Sequence, residues 1–391
     1  MSNKRRFAFI PLACFLMVMT IYVLTSNTLA DVAAYPAPGG PRVAAGTAGY
    51  PPPRPGARPP ASPVAANGPV SEPPVAFAPT SFIYMPAFRL DRRAAGQGVS
   101  YTGSALRRDY PQFPHLQISC DDVQQYAGWS FVYAMASKCP QNPNVEDVGF
   151  LTPGPGPGGA LDVPAWEAAI ATLGPYRLVY NECNLAGSLS CGGSGPYEPE
   201  KVADDYMDRV RPLIQQVDPN GRFILGGATA DKCGIAWMTR FADHLQARWQ
   251  AQGGVPGSWP PEVAGWQFNM WPLINYDWRT GGPCTERSDT TQNDWRNQMA
   301  DMAAFKRTYG GEIWIKEWAL HSSTANQAAY MHAVLSYVYS RQGAWLTRWA
   351  WFTNYDDFGR HWWDLWQVNP DNGGSLYLST AGRVYRAYYR R

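Results

Sequence analysis

From residue 98 onward the chain alternates short apolar runs with longer amphipathic stretches. The runs are Gly98–Tyr101, Trp129–Ala134, Val145–Leu151, Tyr176–Glu182, Phe223–Gly227, Val263–Phe268, Ile313–Glu317 and Ala344–Phe352. They lack the strict in–out alternation of a strand with one wet face. They read instead as strands covered on both faces, the pattern of a parallel sheet. Helix patterns fill the gaps. Pro199 and Glu200 open one that carries Val202, Tyr206, Val210 and Leu213 on a common face. Proline is tolerated in a first turn, and an acidic residue there complements the helix dipole. Trp237, Phe241, Leu245 and Trp249 recur at i+4 steps and read as the core-facing stripe of a second helix. Thr291–Tyr309 and Ala325–Arg341 make two more. From Glu182 on, strand ends recur about every 35–49 residues, the length of one strand–helix unit with its loops. The predicted fold class is α/β: a (β/α)8 TIM barrel over residues 81–391.

The first part of the chain follows another pattern. Lys4, Arg5 and Arg6 precede an apolar stretch from Phe7 to Leu24, and Thr28-Leu29-Ala30 places small residues where a leader is cut before Asp31. Residues 1–30 are therefore expected to be a signal peptide or an N-terminal membrane anchor, with a stretch of about 18 residues at the lower limit for spanning a bilayer. Residues 31–80 are rich in Pro, Ala and Gly, including Pro51-Pro52-Pro53 and Pro59-Pro60. That composition predicts a disordered, semi-extended linker. Either version of the leader exports the rest of the chain, to an extracellular or cell-surface location.

Composition narrows the function classes. The formal net charge is +2 and no basic block is present, which argues against a nucleic-acid partner. Six cysteines follow the linker: Cys120, Cys139, Cys183, Cys191, Cys233 and Cys284. An even number in an oxidising compartment points to disulfides. Cys183 with Cys191 and Cys120 with Cys139 are the pairs suggested by proximity, among the roughly 15 pairings that six cysteines allow. No CxxC of zinc-type spacing and no histidine cluster occurs, so neither a metal nor a cofactor is expected. Gly154–Gly159 reads Gly-Pro-Gly-Pro-Gly-Gly. Its prolines remove the backbone donors a phosphate loop needs, so it is read as the loop after strand three. No Gly-x-Ser-x-Gly is present for a serine hydrolase.

The candidate chemistry lies in Tyr180-Asn181-Glu182-Cys183-Asn184 and Ile313-Trp314-Ile315-Lys316-Glu317-Trp318. Each is an apolar run that stops on a glutamate. Burying a carboxylate is costly unless it is paired or used. The C-terminal ends of barrel strands form the active face. A pair of carboxylates there, about 5–5.5 Å apart, supports retaining glycoside hydrolysis. Twelve of the 17 tryptophans fall at or after Trp266. Most are expected in the core. Trp271, Trp318 and Trp351 sit at inferred strand ends and are candidates for stacking on sugar rings. Asn181 and Asn269 are candidates for hydrogen bonds to sugar hydroxyls. Trp362, Trp363 and Trp366 follow Asp356 and Asp357 in the last loop. His321 reads as a loop or supporting residue, and Asp231 and Lys232 as rim residues.

These strings resemble those of the clan A glycoside hydrolases, and most closely the catalytic core of glycoside hydrolase family 128, a family of endo-β-1,3-glucanases. Asn181-Glu182-Cys183-Asn184 corresponds to the family's Asn-Glu-Pro-Asn/Asp string. Trp314-Ile315-Lys316-Glu317-Trp318 corresponds to its Trp-x-Thr-Glu-Phe string. Ala350-Trp351-Phe352 matches its last strand, and Leu378, Thr380, Gly382 and Tyr385 match its C-terminal pattern. The likeness runs over roughly residues 98–388. Here Cys183 replaces Pro, Lys316 replaces Thr and Trp318 replaces Phe. Strand six reads Phe268-Asn269-Met270-Trp271 without the family's His. The resemblance implies an O-glycosyl hydrolase with Glu182 as acid/base and Glu317 as nucleophile, acting on a poly- or oligosaccharide, with β-1,3-glucan the leading substrate. A non-catalytic carbohydrate-binding protein on the same barrel is the alternative that Lys316 favours. A clan A enzyme acting on xylosides or other β-glycosides is another.

Overall fold

The computed structural model describes residues 96–389, apart from 102–104, 134–138, 140–141, 152–162, 187–190, 192–195, 275, 287–293, 324 and 357–359. The expected leader (1–30), the linker (31–80) and the Gly154–Gly159 loop lie outside the described residues.

Every apolar run assigned to the barrel forms a strand: β1 (Gln97–Ser100), β2 (Trp129–Phe131), β3 (Glu146–Leu151), β4 (Tyr176–Val179), β5 (Arg222–Thr229), β6 (Val263–Met270), β7 (Glu312–Trp318) and β8 (Arg348–Trp351). They pair in parallel in chain order, and β8 returns to β1 to close a barrel of eight strands. Several expected boundaries move; β2 stops at Phe131 instead of Ala134, and β5 runs on to Thr229. β4 stops at Val179 instead of reaching Glu182, and β8 begins at Arg348 instead of Ala344. The α-helices among the described residues are α1 (Ala105–Asp109), α2 (Cys120–Val123), α3 (Val163–Ile170), α4 (Pro199–Asp205), α5 (Arg211–Val217), α6 (Lys232–Ala251), α7 (Trp295–Tyr309), α8 (Gln327–Val338) and α9 (Thr380–Tyr389), with a π-helical turn, Tyr206–Val210, joining α4 to α5.

Side chains on alternate strand positions separate into two layers. Trp129, Phe131, Val148, Phe150, Leu178, Ile224, Trp314 and Ala350 fill the barrel interior. The rings pack closely, with Trp129 and Trp314 centroids 5.2 Å apart and Phe131 and Phe150 6.0 Å apart. Gly98 admits this packing: a Cβ there would lie 2.1 Å from the Trp129 ring. The outward positions, among them Trp266, Phe268, Trp349 and Trp351, join the layer between barrel and helices. Trp237, Phe241 and Leu245 of α6 are buried in that layer. The four-residue period of the stripe keeps one face of the helix toward the sheet.

A hairpin of β9 (Trp366–Asn369) and β10 (Ser375–Leu378), followed by α9, completes the chain. Nothing in the apolar pattern singled out these elements. They cover the seam where the barrel closes. The Tyr385 hydroxyl donates to the Gly98 carbonyl on β1 and accepts from the Trp351 amide on β8.

Candidate active site

Glu182 and Glu317 both stand at the C-terminal mouth, but the backbone delivers them differently. On β7 the register slips against both neighbours. Ile315 pairs with Trp349 while Trp318 pairs with Trp351, and the single step from Phe268 to Asn269 on β6 spans two residues on β7. β7 therefore carries one extra residue, a bulge at Lys316–Glu317. Bulges re-aim side chains. Here Lys316 keeps the inward side set by Trp314, Glu317 also turns to the mouth, and Trp318 falls outward.

Glu182 lies past the end of β4, in a corner where Tyr180 has φ 68° and Glu182 has φ 52°. Non-glycine residues rarely adopt this left-handed region, and such residues gather at functional sites. The surroundings enforce the corner. The Gln267 amide donates to the Val179 carbonyl at 2.9 Å and the Tyr180 carbonyl at 3.1 Å. The Glu182 N–H donates to the Gly227 carbonyl at 2.9 Å. The Tyr180 hydroxyl donates to Asp205 at 2.8 Å. Gly227 sits in a second bulge, on β5, with φ 85°. A Cβ at this position would come within 3.1 Å of the Asn181 Cα, so only glycine lets the corner approach.

A continuous polar chain joins the two carboxylates. Asn269 Nδ2 donates to Glu182 Oε1 at 2.9 Å and to Asn181 Oδ1 at 3.0 Å. The Lys316 ammonium donates to Asn181 Oδ1 and to Glu317 Oε1. The Tyr133 hydroxyl donates to the same Glu317 oxygen. Lys316 is wholly buried, with its Nζ 5.1–5.6 Å from the ring centres of Phe131, Tyr133 and Phe150.

These contacts set the proton affinities. Burial, reinforced by the charge of Glu317, pushes Glu182 up to about 7 against the smaller opposing effects of Lys316 and Asn269. Burial pulls Lys316 down from its ordinary value, opposed by Glu317 and Glu182. Burial and the neighbouring Glu317 hold the Tyr133 phenol well above its ordinary value, so it stays a donor through the neutral range.

Of the aromatic candidates, Trp271 lies beside the mouth. Its ring meets Phe352 at 5.3 Å, Trp363 at 5.8 Å and His321 at 6.4 Å, edge to face. His321 supports this wall. It contacts Trp362 and Arg360, and burial together with the Arg360 charge lowers its proton affinity. Trp318 and Trp351 are not sugar platforms in this structure. Both are fully buried in the layer outside the barrel, edge to face at 4.7 Å, and the Trp351 indole N–H donates to the Trp363 carbonyl at 2.7 Å. Alternation explains the correction: Arg348 and Ala350 face inward on β8, so Trp351 cannot. Asp231 caps α6 by accepting from the Gly234 N–H at 2.9 Å, and Lys232 pairs with Asp301 at 2.7 Å.

The described cysteines form three bridges, Cys120–Cys139, Cys183–Cys191 and Cys233–Cys284. Cys183 staples the loop directly after Glu182. Asp231, Cys233 and Cys284 cluster, but the two sulfurs are bonded to each other and offer no thiolate to a metal. Tyr133 was not singled out by sequence. The signal for it was the alternation of Trp129, Phe131 and Tyr133, which points a third ring inward beyond the end of β2.

A family model described as "Glycosyl hydrolase catalytic core" matches residues 115–385. No curated protein matches the chain. Solved structures similar to it include a family 128 subgroup III curdlan-specific exo-β-1,3-glucanase from Blastomyces gilchristii, at 18% identity and TM-score 0.45, covering 75% of this chain and 99% of that one. Another is a subgroup II endo-β-1,3-glucanase from Sorangium cellulosum, at 15% identity and TM-score 0.46, covering 75% and 98%. A third is a subgroup VII oligosaccharide-binding protein from Trichoderma gamsii, at 15% identity and TM-score 0.44, covering 76% and 96%. With the family model spanning well over half of its 391 residues, the chain belongs to the glycosyl hydrolase catalytic core family.

Proposed function

We propose that the protein is an exported retaining glycoside hydrolase that cleaves a β-linked polysaccharide, with Glu182 as acid/base and Glu317 as nucleophile. The observation that carries this reading is the unequal treatment of two carboxylates at one barrel mouth, Glu317 buried and Glu182 half-buried. Glu317 accepts from an ammonium and a phenol, while Glu182 accepts an amide hydrogen bond and holds its proton up to about pH 7. That is the division a double displacement needs. Glu182 protonates the glycosidic oxygen as its bond to the anomeric carbon breaks. Glu317 attacks that carbon through Oε2, since Tyr133 and Lys316 both bind Oε1. Glu182, now ionised, takes a proton from the water that releases the sugar. Asn181 Oδ1 accepts from both Lys316 and Asn269, so its NH2 end is the one presented to a sugar hydroxyl.

The resemblance of the two glutamate strings to family 128 names β-1,3-glucan first. Export agrees with the Lys4–Leu24 leader and with three disulfides, which persist in oxidising compartments. On this reading residues 1–30 are a signal or anchor, 31–80 a spacer and 81–391 the catalytic domain.

One observation favours a second reading, a carbohydrate-binding protein without turnover: the direct Lys316–Glu317 ion pair, which ties up part of the nucleophile. Wild type, Glu182→Ala and Glu317→Ala assayed on laminarin, curdlan, pustulan and xylan decide between them. Reducing-sugar release by wild type alone is expected, with the first-formed product keeping the β anomer in its proton NMR spectrum. Turnover surviving both substitutions sinks the mechanism. Binding with no turnover by wild type selects the second reading.

A further inference from the structure

A lysine and two glutamates meet at the mouth, Lys316 and Glu317 buried and Glu182 half-buried. Around Lys316 stand Phe131 and Tyr133 from β2 and its loop, Phe150 from β3, Asn181 and Glu182 from the corner after β4, and Glu317 beside it on β7. Of these, Glu182 and Glu317 are the charged groups, and Tyr133 is a phenol that keeps its proton. The rings and full burial hold the ammonium in place, and the β7 bulge puts Lys316 and Glu317 on the same side. Lys316 bonds Glu317 directly. It reaches Glu182 only through Asn181 and Asn269.

We infer that Lys316 is a positioning residue that assigns the two carboxylates their separate roles, fixing the negative charge on Glu317 and leaving the shared proton to Glu182. The inference rests on Glu182 and Glu317 being the working pair. Two like charges in a water-poor site cannot both be ionised cheaply. Coulomb energy falls with distance, so a cation bonded to one carboxylate stabilises charge there more than on its neighbour. Without Lys316 the two glutamates would differ much less, and the site would lose its preference for which one attacks. The Asn181 carbonyl, held by the same ammonium, ties the orientation of the sugar-facing amide to this charge assignment.

The test has two arms on the full-length protein. In the first, pH profiles of kcat and KM on laminarin are compared for wild type, Lys316→Met and Lys316→Arg, each checked by circular dichroism. Lys316→Met is expected to lower kcat at least about tenfold with KM little changed. Both limbs of its profile should move to higher pH by roughly one unit or more, because each carboxylate loses a nearby cation. Lys316→Arg should restore the limbs toward wild type. Limbs that stay in place in Lys316→Met overturn the inference. The second arm needs no turnover. Carboxyl 13C NMR titration of glutamate-labelled protein, assigned with Glu182→Gln and Glu317→Gln, is expected to find the proton taken up near neutrality on Glu182 in wild type. Finding it on Glu317 overturns the inference, and this arm decides the matter if Lys316→Met does not fold. Protein that hydrolyses no polysaccharide yet titrates as expected would defeat the proposed function and leave the charge assignment standing.

Discussion

Both ends of the barrel hold a cation caged by aromatic rings, and the two ends balance charge in opposite ways. At the N-terminal end the groups are the first residues of their strands: Glu146, Tyr176, Arg222, Glu312 and Arg348. The Arg348 guanidinium lies 4.4 Å from the Trp314 ring and 4.5 Å from Tyr176, and pairs with Glu146 at 2.8 Å. Arg222 pairs with Glu312 at 3.0 Å, and Glu312 also accepts from the Tyr176 hydroxyl and the Trp314 indole. Each carboxylate there has its own arginine, and arginine does not give up its proton. At the mouth, one lysine serves two carboxylates. The balanced end closes the barrel. The unbalanced end must place a proton somewhere, and that proton is what the proposed chemistry uses.

The largest test of this contrast is Glu317→Gln, expected to lower kcat by roughly 10⁴-fold or more in protein that circular dichroism shows to be folded. Stability lost without activity lost would invert the roles of the two ends. Next is Arg348→Met at the closed end. It leaves Glu146 without its cation and should cost about 3 kcal/mol in urea titrations, with the pH profile of the folded enzyme unchanged. A shifted profile would mean that the two ends are electrically coupled. Replacing Cys183 and Cys191 together by Ala removes a staple spanning 8 positions. Chain entropy puts its loss at about 2.5 kcal/mol, read by the same titration.

Smaller, and more diagnostic, is Glu182→Gln. The raised affinity of Glu182 means that the folded state holds a proton the unfolded chain has released. Wild-type stability therefore falls as pH rises from the ordinary glutamate range toward about 7. The variant escapes this loss. It should melt about 2–4 °C above wild type at pH 8 and show a much smaller gain at pH 5 in calorimetry. An equal gain at both pH values would mean that Glu182 is not a proton-holding site. The smallest effect is expected from Lys232→Ala, whose half-exposed pair with Asp301 contributes roughly 0.5 kcal/mol.

Much of this architecture is legible in the chain. The barrel strands can be read from apolar runs because burial on both faces is a local composition signal. The balanced end is also marked, by charged residues standing at the starts of β3, β5, β7 and β8. Glu182 and Glu317 stand out because a carboxylate ending an apolar run is unusual. The tryptophans mislead for a related reason. Trp271, Trp318 and Trp351 all sit at strand ends, and only the side each faces separates the first from the other two. That side is set by a bulge on β7 and by the register of β8, and neither shows in the residue types. The β5 bulge falls at Gly226-Gly227, where the strand expected from the sequence ends, although glycine inside a strand signals irregularity or close approach.

The order of the eight barrel strands, the two glutamates, and the paired spacing of Cys120 with Cys139 and Cys183 with Cys191 can be read from the chain alone, because each depends on residues near one another in it. The tertiary structure decided which groups touch those glutamates. Lys316 meets Asn181 across 135 residues of sequence, and Tyr133 meets Glu317 across 184. Periodicity cannot encode such contacts. They depend on how far each strand is twisted and slipped against its neighbours, and a one-residue slip exchanges the inward and outward faces.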